Sequence, residues 1–135
     1  MRKIFLVASL ILFTTGCAST EVVTTASYCE DVSDSVLQKI ESGLKNGEVT
    51  LHNGQVVKSN DFKSVYFVSA NLKNPELDIE DIATFSINQL NNDGMIFSIN
   101  SIASDFFVWP SGSTTESNIK MSDDGARESQ ECVNK

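Results

Sequence analysis

The stretch "KSVYFVSANL", Lys63 to Leu72, is apolar on both of the faces that an extended chain presents. Successive side chains of a strand point to opposite faces of its sheet. Val65 and Phe67 therefore lie on one face, and Tyr66 and Val68 lie on the other. Apolar residues on both faces are typical of a strand in the interior of a sheet, so this segment is predicted to be the central strand.

Strand-forming segments flank this central strand on both sides. In "EVTLHNGQVVKS", Glu48 to Ser59, the pair Asn53-Gly54 separates two β-prone runs, which predicts a hairpin because a type I′ turn needs positive φ at both central residues. Downstream, Ile82–Asn88 and Gly94–Asn100 predict another strand pair, joined across "QLNNDG". With the central strand these segments make an antiparallel sheet of about five strands.

Helical patterns occur before and after the predicted strands. "SYCE", Ser27 to Glu30, fits an S-x-x-E capping box, and Asn46-Gly47 supplies a stop. A membrane-surface helix is rich in Lys and Arg on its polar face, whereas the polar face here carries Lys39 between Asp34 and Glu41, so we expect the helix to pack on the core. Its apolar face consists of Val32, Val36, Leu37, Ile40 and Leu44.

The last third of the chain predicts two short helices separated by a loop. The first covers Ser101–Phe107, and the second starts at Ser122 as N-cap and carries Cys132 in its last turn. The predicted fold is therefore α+β: an antiparallel sheet covered on one face by the N-terminal helix, with short C-terminal helices.

The N-terminus has the pattern of a secretory signal peptide. Arg2 and Lys3 precede the apolar run "IFLVASLILF", Ile4 to Phe13. This run is shorter than the roughly 20 residues that a membrane-spanning helix needs. The alternative is a buried strand or helix of the mature fold, but the segment shows no alternation.

The run ends in "TTGC", where Gly16 directly precedes Cys17. This resembles the lipobox of bacterial lipoproteins, although the family prefers an aliphatic residue at the position of Thr14. The resemblance implies cleavage before Cys17 and attachment of diacylglycerol and an acyl chain to that residue; a plain secreted protein is the alternative. The implied organisation is a signal peptide (1–16), a lipidated cysteine with a flexible tether (17–27) and a single globular domain (28–135).

The same resemblance implies a location in the cell envelope. Several acyl chains together give stable membrane attachment, whereas a single chain holds only marginally. In the sorting rule of enteric lipoproteins, Asp after the lipidated Cys retains a protein at the inner membrane. Ala18 and Ser19 stand there instead, so we expect the outer membrane, with the domain facing the periplasm or the cell surface.

The remaining cysteines predict a disulfide, and the charge argues against one class of partner. With Cys17 lipidated, Cys29 and Cys132 are left, and an exported protein keeps disulfides. We predict that they pair; two free thiols or a metal pair are the alternatives, and a chain with one His is poorly equipped for zinc. The net charge of −8 and the scattered Lys and Arg argue against nucleic-acid binding.

The sequence predicts no catalytic residue, metal site or cofactor. His52 stands beside the predicted turn and is expected to be solvated. No Ser lies in a G-x-S-x-G motif, and "QLNNDG" lacks the carboxylates of an EF-hand loop. A carboxylate pair among Asp78, Glu80 and Asp81 is conceivable, but a solvated loop is the favoured interpretation.

Three large rings stand close together in "DFFVWPSGS", Asp105 to Ser113. Phe106, Phe107 and Trp109 either close the edge of a small core, which is the favoured interpretation, or anchor a partner or an apolar ligand.

Several segments of the mature domain also resemble those of small uncharacterised bacterial exported proteins, a resemblance that implies no activity. We expect a non-enzymatic lipoprotein that binds an envelope partner or small ligand; a passive structural or exclusion factor without a pocket is the alternative.

Overall fold

The structure is a computed structural model that describes residues 28–76 and 79–135. The predicted signal peptide, the lipidation site Cys17, the tether to residue 27 and Asp78 lie outside the described residues. Within the described ranges, no helix has the length and apolar character required to cross a membrane.

The described chain forms an α+β domain with one five-stranded sheet in the order β1-β2-β3-β4-β5, and every neighbouring pair is antiparallel. The predicted fold class and strand number are confirmed, and so is the position of the central strand, because β3 lies in the middle of the sheet. The elements are β1 (Glu30–Asp31), α1 (Asp34–Glu41), β2 (Thr50–Lys58), β3 (Tyr66–Asn74), β4 (Ile79–Ile87), β5 (Ile96–Ser98), α2 (Ser101–Phe106), a 3₁₀ turn (Gly112–Thr114) and α3 (Ala126–Val133).

Alternation along β3 divides the sheet into two faces of different chemistry. We call the side that carries Val68, Ala70 and Leu72 the apolar face, and the side that carries Phe67 and Ser69 the α3 face. On the apolar face these residues belong to one buried cluster with residues of α1 and α2, including Val36, Ile40 and Ala103. Within this cluster the Phe85 and Phe107 rings meet edge to face, with centroids 4.9 Å apart.

The opposite face is covered by α3, which contacts β2, β3 and β4. A small apolar cluster contains Phe67 and Ala126. Beside it, the Ser69 hydroxyl lies 2.7 Å from the Ser129 hydroxyl and 2.9 Å from the Thr84 hydroxyl. The structure therefore does not show the predicted arrangement, in which the N-terminal helix alone covers the sheet. Instead, α1 contacts β2 and packs with α2 on the apolar face, and α3 covers the other face.

The predicted hairpin at Asn53-Gly54 is wrong, because β2 runs through both residues as one strand. The pairing with β3 shifts between His52 and Gln55, which marks a β-bulge. Asn53 has a φ of 52°, but Gly54 does not have a positive φ, so the pair does not adopt the conformation of a type I′ turn. A Cβ on Gly54 would lie 2.3 Å from Val32, so glycine is needed there for the close approach of the N-terminal segment.

The predicted helix start at Ser27–Glu30 is also wrong. Glu30–Asp31 form strand β1, where Glu30 pairs with Val56 across the edge of β2. The helix begins only at Asp34, after Ser33. An edge strand satisfies the backbone of β2 over this short stretch, and this tertiary pairing overrides the local capping pattern.

The predicted disulfide is confirmed: Cys29 and Cys132 are bonded, with a Cα–Cα distance of 5.5 Å. Cys132 lies in the last turn of α3 as expected, but α3 begins at Ala126 and not after Ser122. The helix predicted to start at Ser27–Glu30 would have contained Cys29, so the bond was expected to join two helices. Cys29 instead precedes β1, and the bond joins α3 to the start of the sheet.

Candidate functional site

The three aromatic residues predicted to cluster occupy different environments. Phe107 is buried and packs on Phe85. Trp109 is half-buried, and its Nε1 donates to the Ile40 carbonyl oxygen at 2.9 Å. The Trp109 ring also lies so close to Gly43 that a Cβ there would be 2.3 Å from the ring. Phe107 is therefore part of the buried core, and Trp109 packs against that core, as Phe106 does.

Phe106 is half-buried and lines a cleft with a volume of ≈ 460 Å³. It is the last residue of α2, and Asn100 fixes the start of this helix. The Asn100 Oδ1 accepts from the Ala103 N–H as helix cap at 3.0 Å and from the Thr84 N–H of β4 at 3.1 Å. Because one side chain caps the helix and binds the strand, α2 is held in a defined position on the sheet.

The end of α2 is held by the segment that follows α1. The Lys45 N–H donates to the Phe106 carbonyl oxygen at 2.9 Å, and the Val108 N–H donates to the Gly43 carbonyl oxygen at 2.7 Å. The Lys45 ammonium donates to the carbonyl oxygen of Ser104 at 2.6 Å. Phe106 therefore lies on a backbone that is fixed from both sides, which suits a preformed binding site.

We name this feature the Phe106 cleft, and its rim is acidic. Three exposed carboxylates, from Glu48, Glu76 and Asp105, stand against the single ammonium of Lys45. The buried Val49 adds apolar surface beside Phe106. The residues that line the cleft are Lys45, Asn46, Gly47, Glu48, Val49, Asn74, Glu76, Asp105 and Phe106.

Asn74 is the buried polar group of the cleft. Its residue is 8% exposed, and its Oδ1 accepts from the Glu76 N–H at 3.0 Å. This hydrogen bond from a residue two positions ahead is an Asx turn, so Asn74 fixes the backbone that leaves β3 at the cleft.

The other candidate polar residues do not line the Phe106 cleft. His52 and Glu80 are 3.9 Å apart on the sheet surface, with side chains 44% and 66% exposed. Asp81 is exposed, and its carboxylate accepts from the Ile82 N–H. In the part of the chain that the structure describes, no three His, Cys, Asp or Glu side chains are grouped to hold a metal ion.

A second cleft of ≈ 350 Å³ lies at the other end of the apolar face and includes Tyr28, Val56, Lys58, Tyr66 and Leu90. Tyr66 and Asn74 are the first and last residues of β3, so roughly 27 Å of extended strand separates the two clefts. Unlike the Phe106 cleft, this second cleft contains a single carboxylate residue, Glu30, beside Lys58.

Sequence patterns did not identify most residues of the Phe106 cleft. Glu48, Glu76 and Asp105 are far apart in the chain, and none of them stands in a motif. No family model, curated protein or solved structure matches this chain.

Proposed function

We propose that this protein is a lipid-anchored envelope lipoprotein whose non-enzymatic domain binds a small ligand or a partner group in the Phe106 cleft. The observation that carries the proposal is the half-buried Phe106 ring, which packs against the core and lines a cleft of ≈ 460 Å³. Ligand sites typically measure about 300–1,000 Å³ and combine apolar surface with a few polar groups.

The anchor is supported by the sequence before the domain. The Gly16-Cys17 pair at the end of an apolar run resembles a lipobox, and a short polar tether follows it. Ten residues, 18 to 27, span at most roughly 35 Å when fully extended, which is enough to hold a small domain clear of the lipid surface. On this proposal the domain works close to a membrane.

Anchoring is tested by mass spectrometry of the N-terminal peptide after growth with labelled palmitate. We expect a peptide that begins at Cys17 and carries acyl chains, and an uncleaved precursor in the Cys17→Ser variant. An unmodified Cys17, or cleavage at another position, would show that the protein is not a lipoprotein.

Binding in the cleft is tested by photo-crosslinking in cells that carry the full anchored chain. A photoreactive amino acid replaces Asn46, which is exposed and lines the cleft; the control replaces Val108, which is 62% exposed and lies outside it. We expect adducts from position 46 and none from position 108, read by intact mass. Equal yields at both positions, or no adduct at either, would overturn the proposal and favour a passive structural role.

A further inference from the structure

We infer that Asn46 is a site of spontaneous deamidation, in which the chain itself converts the asparagine amide to a carboxylate at the rim of the Phe106 cleft. The sequence contains two Asn-Gly pairs, Asn46-Gly47 and Asn53-Gly54. A glycine after asparagine favours this reaction, because without a Cβ its backbone nitrogen can approach the asparagine side chain closely. The fold places the two pairs in opposite environments, and of the two only the first has the freedom to react.

The reaction needs no partner other than water. The backbone nitrogen of Gly47 loses its proton and attacks the Cγ of Asn46, so that a new N–Cγ bond forms. The Cγ–Nδ2 bond breaks, and the amide takes up a proton and leaves as ammonia. Water then opens the resulting cyclic succinimide at either carbonyl carbon. Opening at Cγ leaves aspartate, whereas opening at the backbone carbonyl leaves isoaspartate, in which the main chain runs through the former side chain.

Asn46-Gly47 lies in an exposed turn that has room for this attack. Both residues are exposed, and they belong to the connection between α1 and β2. Apart from its chain neighbours, no heavy atom of the described residues lies within 4 Å of a Cβ built on Gly47, so the space around this residue is open. Ring closure requires the Asn46 side chain and the next peptide group to rotate toward each other, and a surface turn permits that rotation.

Asn53-Gly54 has the same sequence but is held in place. Both residues lie within β2, and Gly54 is buried. The Asn53 Nδ2, which would have to leave as ammonia, donates to the Val133 carbonyl oxygen of α3 at 2.8 Å. The Gly54 carbonyl oxygen accepts from the Val32 N–H at 3.0 Å. This pair can therefore react only when β2 opens locally, and that opening costs free energy.

Deamidation changes the charge of the cleft rim. Asn46 lines the Phe106 cleft together with Glu48, Glu76 and Asp105, so its product adds a further carboxylate to those three. The change is one negative charge whichever way the ring opens. The rim of the Phe106 cleft therefore becomes more acidic as the protein ages, whether or not the cleft binds a ligand.

The test compares the two pairs within one molecule. The folded mature protein is kept at mildly alkaline pH for several days and then cleaved after its glutamates, which places residues 42–48 and 49–76 in separate peptides. We expect aspartate and isoaspartate at position 46, read by mass and by enzymatic methylation of isoaspartate, which direct hydrolysis of the amide would not produce. Position 53 should react at least about tenfold more slowly. Equal rates at both positions, or an unmodified Asn46, would overturn the inference.

Two controls separate the fold from the local sequence. In guanidinium chloride with the disulfide reduced, Asn46 and Asn53 should react at similar rates, because the protection of Asn53 is lost with the fold. A difference that persists in the denatured chain would mean that sequence neighbours set the rates, against the role of the fold. Gly47→Ala should fold like the parent, because its Cβ meets open space, and should slow the reaction at Asn46 roughly tenfold. An unchanged rate in this variant would contradict attack by the Gly47 nitrogen.

Discussion

On the apolar face of the sheet, Val68, Ala70 and Leu72 are buried with α1 and α2 by shape and apolar contact. On the α3 face, Ser69 and Ser129 are buried just as completely, but they meet through hydroxyl groups. The stabilisation from apolar burial grows with the area buried, and the apolar face holds the larger cluster of buried apolar residues, so we expect it to provide most of the stability. Hydrogen bonds need defined geometry, so the second face fixes where α3 lies.

The disulfide links the α3 face to the start of the sheet, and its loss should have the largest effect. Cys29 and Cys132 are 103 residues apart, and a loop of that length restricts the unfolded chain by about 4–5 kcal/mol in the chain-entropy model. Cys132→Ser should therefore lower the melting temperature by roughly 10 °C or more. Reduction of the parent protein should lower its melting temperature by a similar amount. Reduction of the Cys132→Ser variant should not change its melting temperature further. Two free thiols in the unreduced, denatured parent would contradict the bond.

A cavity on the apolar face should have the next largest effect. Phe85 is fully buried and meets Phe107 edge to face, so Phe85→Ala removes both apolar burial and the ring contact. We expect the free energy of unfolding to fall by about 3–5 kcal/mol in urea denaturation. Phe106→Ala is the control, because Phe106 is only half-buried. An equal loss in both variants would show that the apolar face is not the main source of stability.

The hydroxyl chain of the α3 face should contribute less. Ser69 lies within hydrogen-bond distance of both the Thr84 and the Ser129 hydroxyl groups, so Ser69→Ala should lower the free energy of unfolding by about 1–3 kcal/mol. Part of the network survives, because the Gln130 Nε2 still donates to the Thr84 hydroxyl at 2.9 Å.

Ser86 offers a matched control, because it lies on β4 two residues after Thr84. Its hydroxyl is buried, and within the described residues it has no hydrogen-bond partner. Ser86→Ala should leave the free energy of unfolding unchanged or raise it by up to about 1 kcal/mol, since no hydrogen bond is lost. A loss as large as that of Ser69→Ala would mean that burial of a hydroxyl, and not its partners, determines its contribution.

The sequence correctly predicted the features that depend on composition and periodicity. The two-sided apolar pattern of Lys63–Leu72 located β3, and the apolar runs around "QLNNDG" located β4 and β5. Two errors arose where a local signal had more than one tertiary outcome. Asn53-Gly54 permits positive φ in a turn or in a bulge, and Ser27–Glu30 could cap a helix or lead into an edge strand.

By itself, the sequence determined the central strand, because strand alternation needs no knowledge of distant neighbours. It predicted the pairing of Cys29 with Cys132 only together with the expected lipidation of Cys17, which left two of the three cysteines. Only the tertiary structure decided the Phe106 cleft. The end of β3 places the buried Asn74 there, and α2 adds Phe106 and Asp105. These residues are brought together by the packing of α2 against the sheet, and no pattern along the chain specifies that contact.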